Sequence, residues 1–224
     1  MAREMEGERG TMSDLILALD CSLRWTNVAV LMDGDVLVSE CLDIGRRQAA
    51  ELPLVVERLL TAARHGFKDI DLLAVTNGPG YFTGIRIGVS YAAALAYALG
   101  KRIVPVSTLQ MLAYGSILES RPVLAAVYAG KERLYAASFG CVSGLSAGEY
   151  RHEELEQWLR AAPPELVIMS DDPEKATETA NLSCPVLQAL PDASIVARIA
   201  YREHNTAVSP MDLRIAYHRA PQIG

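Results

Sequence analysis

Asn77-Gly78-Pro79-Gly80-Tyr81-Phe82-Thr83-Gly84-Ile85-Arg86-Ile87-Gly88 is the stretch on which the fold turns. It follows Leu72-Leu73-Ala74-Val75, an apolar run that reads as a buried strand, and precedes a Gly/Ala-rich helix from Ile85 to Leu99. Glycines free to take positive φ and a proline with fixed φ specify a tight strand-to-helix turn. Thr83 is expected to cap the helix. Exposed N–H groups and the positive dipole end there suit an anion. A phosphate loop would place Lys-Ser/Thr after the last glycine, whereas Ile85 and Arg86 follow Gly84. Two other readings stand beside it: a turn that lets the helix dock on its strand, or a helix that is itself a docking surface. Gly88, Ala92 and Ala96 recur every four residues and share one face. The helix is apolar nearly all round, which implies burial or a shared interface.

Working outward, Leu15–Leu19 and Val28–Leu31 read as strands, and Asp33-Gly34 joins the second to Val36-Leu37-Val38 in a hairpin. A helix is expected over Ala49–His65, with Leu52, Val55, Val56, Leu59, Leu60 and Ala63 at helical spacing and His65 ending it before Gly66. A strand at Ile103–Val106 and a helix capped by Ser107 or Thr108 follow. The second half begins the same way. Val123–Tyr128 and Leu134–Phe139 read as strands around a turn at Gly130-Lys131-Glu132, and Gly140–Gly148 as a loop. Helices near Glu153–Leu159, Glu174–Thr179 and Ala193–Tyr201 and strands at Leu166–Met169 and Val186-Leu187 complete it. A hairpin followed by βα units, twice, implies a duplicated α/β fold of the ribonuclease-H-like, actin/Hsp70 type with two subdomains. The expected division is a disordered leader at 1–13 (with Met12 a candidate start), a first subdomain at 14–109, and a second at 110–224 whose end packs back on the first.

The 224 residues carry a net charge of -6 with no basic block, which argues against autonomous nucleic-acid binding. The longest apolar runs fall short of a span of about 20 residues, so a cytoplasmic, non-membrane protein is expected. Cys21, Cys41, Cys141 and Cys184 form no C-x-x-C pair. The four histidines show no i, i+4 pairing for a metal.

Leu15-Ile16-Leu17-Ala18-Leu19-Asp20-Cys21-Ser22, Asn27-Val28-Ala29-Val30, the Asn77–Gly88 loop and Pro105-Val106-Ser107-Thr108-Leu109 resemble the bacterial TsaB (YeaZ) family. Cys21, Tyr81 and Ile85 stand where that family has Thr, Ser and Val. Ala216-Tyr217-His218-Arg219 is similar to its terminal Tyr-x-Arg. The chain departs from the family at Arg46-Arg47-Gln48 and at Tyr128-Ala129-Gly130, which bears on a second-subdomain ligand site.

The resemblance implies a noncatalytic paralogue of TsaD, supporting threonylcarbamoylation of the adenosine beside the anticodon in tRNAs that read ANN codons. TsaD would hold the metal and do the chemistry, the ATPase TsaE would join a larger complex, and tRNA would be met only indirectly. The isolated chain is expected to form a homodimer. The implied partner interface and its shaping loop comprise Leu52, Val56, Leu59, Gly78, Gly80, Thr83, Gly84, Arg86, Gly88, Ala92 and Ala96. No cofactor is assigned to this chain alone; ATP and magnesium are candidates at the partner junction, with Asp20 and Ser22 as ligand candidates. The alternative is a small-molecule kinase or ATPase of the same superfold. A metallopeptidase lacks its His pair.

Overall fold

The computed structural model describes residues 14–130, 132–141, 144–180 and 185–217. The leader expected at 1–13, the turn residue Lys131, Cys184 and the His218-Arg219 pair lie outside them. The first sheet contains β1 (Leu15–Asp20), β2 (Thr26–Met32), β3 (Asp35–Leu42), β4 (Leu72–Thr76) and β5 (Arg102–Val106) in the order β3-β2-β1-β4-β5. β1, β2 and β3 are antiparallel, and β4 and β5 add in parallel to β1. Asp33 and Gly34 both take positive φ, 53° and 92°, as a two-residue turn between right-twisted strands requires. α1 (Gln48–Ala62) joins β3 to β4, α2 (Phe82–Leu99) joins β4 to β5, and α3 (Thr108–Leu118) leads to the second half.

The second sheet repeats the pattern with β6 (Val123–Gly130), β7 (Arg133–Phe139), β8 (Gly148–Arg151), β9 (Val167–Ser170) and β10 (Val186–Gln188). Its order, β10-β9-β6-β7-β8, is the same topology read from the other edge. α4 (His152–Leu159), α5 (Pro173–Ala180) and α6 (Ala193–Arg202) stand where α1, α2 and α3 stand in the first half. This is the duplicated ribonuclease-H-like fold. β8 is the strand the sequence reading lacks: four residues, Gly-Glu-Tyr-Arg, carry no apolar alternation to announce it.

Helices cover both faces of the first sheet, so β1 is buried at all six positions and reads as continuous apolar chain. Ile16 and Ala18 face a core shared with α3, α6 and the second sheet. Leu15, Leu17 and Leu19 face a second core under α1 and α2. α6, from the second half, packs on β1, β2, β4 and β5, so the two halves share one interior. Two helix ends differ from expectation. α1 stops at Ala62 because Arg64 takes the left-handed position (φ 62°) and the His65 N–H returns to the Leu60 carbonyl at 2.9 Å. α2 begins at Phe82, three residues before Ile85, and ends at Gly100 in the left-handed region.

Candidate functional site

The glycine loop is shaped by contact with the end of β1. A Cβ on Gly80 would lie 2.1 Å from the Ser22 carbonyl oxygen, and one on Gly84 would lie 2.1 Å from that of Cys21. Only glycine permits such approach. The Tyr81 N–H donates to the Ser22 carbonyl at 2.7 Å, and the Asn77 N–H to that of Val106 at 3.0 Å. In turn Gly78 and Asn77 accept from the N–H groups of Thr108 and Ala216, both at 2.9 Å. The loop therefore binds its own chain from three directions. Thr83 is not the cap: Tyr81 holds that position, no side chain caps α2, and Thr83 sits exposed in the first turn. The bond from Tyr81 to Ser22 fixes the chain just before Phe82, which starts the helix earlier.

Asp20 lies at the tip of β1 and is fully buried. Its Oδ1 accepts from the Ser22 N–H (3.0 Å), the Ser22 hydroxyl (2.6 Å) and the Thr76 hydroxyl (2.6 Å), and its Oδ2 accepts from Asn27 Nδ2 (3.0 Å). Three donors crowd Oδ1 and one engages Oδ2, and the whole group is sealed from solvent. The actin-like fold implies a magnesium nucleotide between the sheets. The residues here do not fit one, because Asp20 and Ser22 are spent on tying β1 to β2 and β4. Neighbouring Cys21 is equally inert: burial, helped by the charge of Asp20, pushes its thiol far up. Among the described residues no group of three His, Cys, Asp or Glu could hold a metal.

The residues assigned to the partner interface divide. Leu52 and Val56 are wholly buried and Leu59 is 2% exposed, all in the core beneath α1. Ala92 and Ala96 are wholly buried, and a Cβ on Gly88 would meet Cys21 Cβ at 3.3 Å. The small-residue stripe is buried and lets α2 lie close on its own sheet. Gly78, Gly80 and Gly84 shape the loop. Of the assigned residues, Arg86 and Thr83 alone are exposed.

The open face of the pair lies on the other side. Leu54 of α1 is 64% exposed and Tyr97 of α2 is 71% exposed. Between the helices runs a groove of about 340 Å³ lined by Ala49, Leu52, Arg86, Ile87, Ser90 and Tyr91. Desolvation, with the charge of Glu57 across the groove, pushes the Tyr91 phenol up to about 12. At the N-terminal end the Arg86 guanidinium stacks 3.6 Å from the centre of the Phe82 ring, and its Nε donates to the Tyr217 hydroxyl at 3.1 Å. The Phe82 and Tyr217 rings lie 5.7 Å apart, so the chain's closing segment borders this face. The interface residues named from the sequence do not include Leu54, Tyr97, Phe82 or Tyr217. Helical phase could have found the first two, once the Gly88 stripe was assigned inward. α2 is also the one described helix long and apolar enough by composition to cross a membrane, with a mean hydropathy of 1.3. Its inward stripe on the sheet makes it an element of this domain.

The family model for TsaD, tRNA N6-adenosine threonylcarbamoyltransferase, matches residues 43–210. The chain belongs to this TsaD/TsaB family. Within it, the TsaB (YeaZ) branch is the one that matches over most of the chain. A TsaB from Buchnera aphidicola, a tRNA threonylcarbamoyladenosine biosynthesis protein, is 28% identical over 151 residues, covering 65% of this chain and 67% of that one. The solved structure of YeaZ from Pseudomonas aeruginosa superposes with a TM-score of 0.73 at 25% identity, covering 89% of this chain and 98% of that one. By contrast, a Clostridium kluyveri TsaD is 33% identical over 111 residues, which is 42% of this chain and only 33% of that enzyme. The chain thus spans about a third of the length of the TsaD relatives it matches.

Proposed function

We propose that this TsaB-branch chain is the accessory subunit of a TsaD-type enzyme in forming threonylcarbamoyladenosine in tRNA. The partner covers the outer face of α1 and α2. The observation that carries this reading is the pair of exposed large apolar side chains, Leu54 and Tyr97, on adjacent helices of a fold whose first-strand carboxylate, Asp20, is buried in internal hydrogen bonds. Aromatic side chains and arginine dominate interface energetics, and Tyr97, Tyr91, Phe82 and Arg86 supply them here. The isolated chain pairs with a second copy through this same face, and the TsaD-type partner displaces that copy. TsaE joins the resulting pair, and the site of action is the cytoplasm.

The test is reconstitution. TsaD-type enzyme, TsaE, the threonylcarbamoyl donor and tRNA are incubated with and without this chain, and modified adenosine is measured by mass spectrometry. Product that depends on adding the chain supports the reading. Equal product without it, or magnesium-dependent phosphorylation of a small molecule by the chain alone, contradicts it in favour of a kinase.

A further inference from the structure

The two sheets meet the solvent across a cleft of about 470 Å³ that the docking face does not use. The β1–β2 turn contributes Arg24 and Trp25 to one wall, and the glycine loop contributes Tyr81. The other wall is Asp171, Asp172, Pro173 and Glu174 at the start of α5, with Gln188 and Leu190 from β10 and the chain beyond it. Asp171 Oδ1 is sealed from solvent and has no hydrogen-bond partner among the described residues.

An ionised carboxylate only accepts hydrogen bonds, and leaving one buried without donors is costly. Two events relieve it: the carboxyl takes up a proton, or the cleft widens and water reaches the oxygen. Because the walls belong to different sheets, widening separates the start of α5 from the β1–β2 turn and the glycine loop. We infer that this cleft is a pH-dependent joint, closing over a protonated Asp171 and opening to water when that carboxyl is ionised.

The surrounding charges allow it. Burial pushes the Asp171 carboxyl up from 3.8 to about 6. The backbone N–H groups of Asp171 and Asp172 pull the other way, Asp172 repels, and Lys175 attracts too weakly to compensate. The Lys175 ammonium lies 3.6 Å from Asp172 and above the Tyr128 ring. Facing from the first half, Arg24 is engaged by Asp43 at 2.7 Å and Tyr81 lines the wall. Glu174 adds a further negative charge on the near wall.

Closed, the carboxyl holds its proton up to about pH 6; open and hydrated, only up to about 3.8. The closed form therefore binds more protons between those values. Opening becomes easier as pH rises from about 4 to 6, by roughly a hundred-fold in the open-to-closed ratio, and is level above that. Tyr81, a wall of the cleft, directly precedes α2. The joint thus touches the first turn of the docking helix, though the inference does not rest on the partner reading.

Trp25 is a built-in reporter, since the chain has only two tryptophans and Trp158 is elsewhere, in α4. In the full-length Trp158→Phe chain, acrylamide quenching of Trp25 is measured from pH 4.5 to 8, with circular dichroism confirming an unchanged fold. The expected result is quenching that rises several-fold between pH 4.5 and 6.5 and then stays level. Adding Asp171→Asn, a permanently neutral amide, should hold quenching at its low-pH value throughout. Flat quenching with Asp171 present, or the same rise with Asp171→Asn, overturns the joint. Should Trp158→Phe not fold, carboxyl-carbon NMR of the otherwise natural chain decides. An Asp171 resonance titrating near pH 4 would refute the inference, and one titrating near 6, absent in Asp171→Asn, would sustain it.

Discussion

Asp20 shows how one residue type serves two different ends. In an actin-like ATPase an acid at the tip of the first strand faces the ligand, and the sequence alone leaves that option open. Here four donors from the β1–β2 turn, β2 and β4 converge on it, so its work is to join strands. Asp20→Asn replaces an acceptor oxygen by an amide that faces donors. Stability should fall by about 1–3 kcal/mol, read as a lower urea midpoint with an unchanged slope, while partner binding by the folded fraction stays the same. The sequence names Asp20 and Ser22 but not the partners Asn27 and Thr76, which reach the carboxylate through sheet pairing rather than through chain neighbourhood. The glycines are more legible. Gly80 and Gly84 announce a close approach, and the approach is to Ser22 and Cys21.

At the scale of the element, α2 is where reading and structure part. A helix apolar nearly all round gives periodicity little purchase, and a stripe of small residues suits a sheet as well as a second helix. The structure resolves it: Gly88, Ala92 and Ala96 face the sheet, and Tyr97 faces out. Two substitutions should therefore behave oppositely. Ala92→Leu overpacks a filled core and should cost about 1–3 kcal/mol, visible as a lower melting temperature. Tyr97→Arg is a surface change and should alter stability by no more than about 0.5 kcal/mol. It should nevertheless weaken capture of the TsaD-type partner at least ten-fold in a surface-binding assay, and Leu54→Arg should do likewise. Melting curves for the two variants check the first pair of statements and binding curves the second. The elements themselves, their order and the hairpin turn at Asp33-Gly34 are carried by local pattern, which is why they could be read in advance. β8 could not, since its pairing with β7 is supplied by the neighbouring strand.

For the whole molecule, duplication does not mean independence. Both sheets have the same topology, yet α6 from the second half covers the first sheet and its apolar face completes the shared core. A fragment of residues 14–122 would expose Ile16, Ala18, Ala29, Leu31 and Val104, all buried in the full chain. It should remain unfolded or aggregate, shown by poor dispersion in its amide NMR spectrum, whereas adding residues 123–217 restores a folded chain. The sequence pattern shows two similar halves, but not that the third helix of each is exchanged into a common interior. That arrangement also leaves α1 and α2 as the outward pair on the first sheet, with Leu54 and Tyr97 open to solvent.

The measurement that bears most directly on the docking face is size-exclusion chromatography with light scattering of the 24.3 kDa chain mixed with a TsaD-type enzyme. The unaltered chain should co-elute with the enzyme at the summed mass of one copy of each. The Leu54→Arg, Tyr97→Arg double variant, folded by circular dichroism, should elute separately. Separate elution of the unaltered chain, or undiminished co-elution of the double variant, would contradict the account.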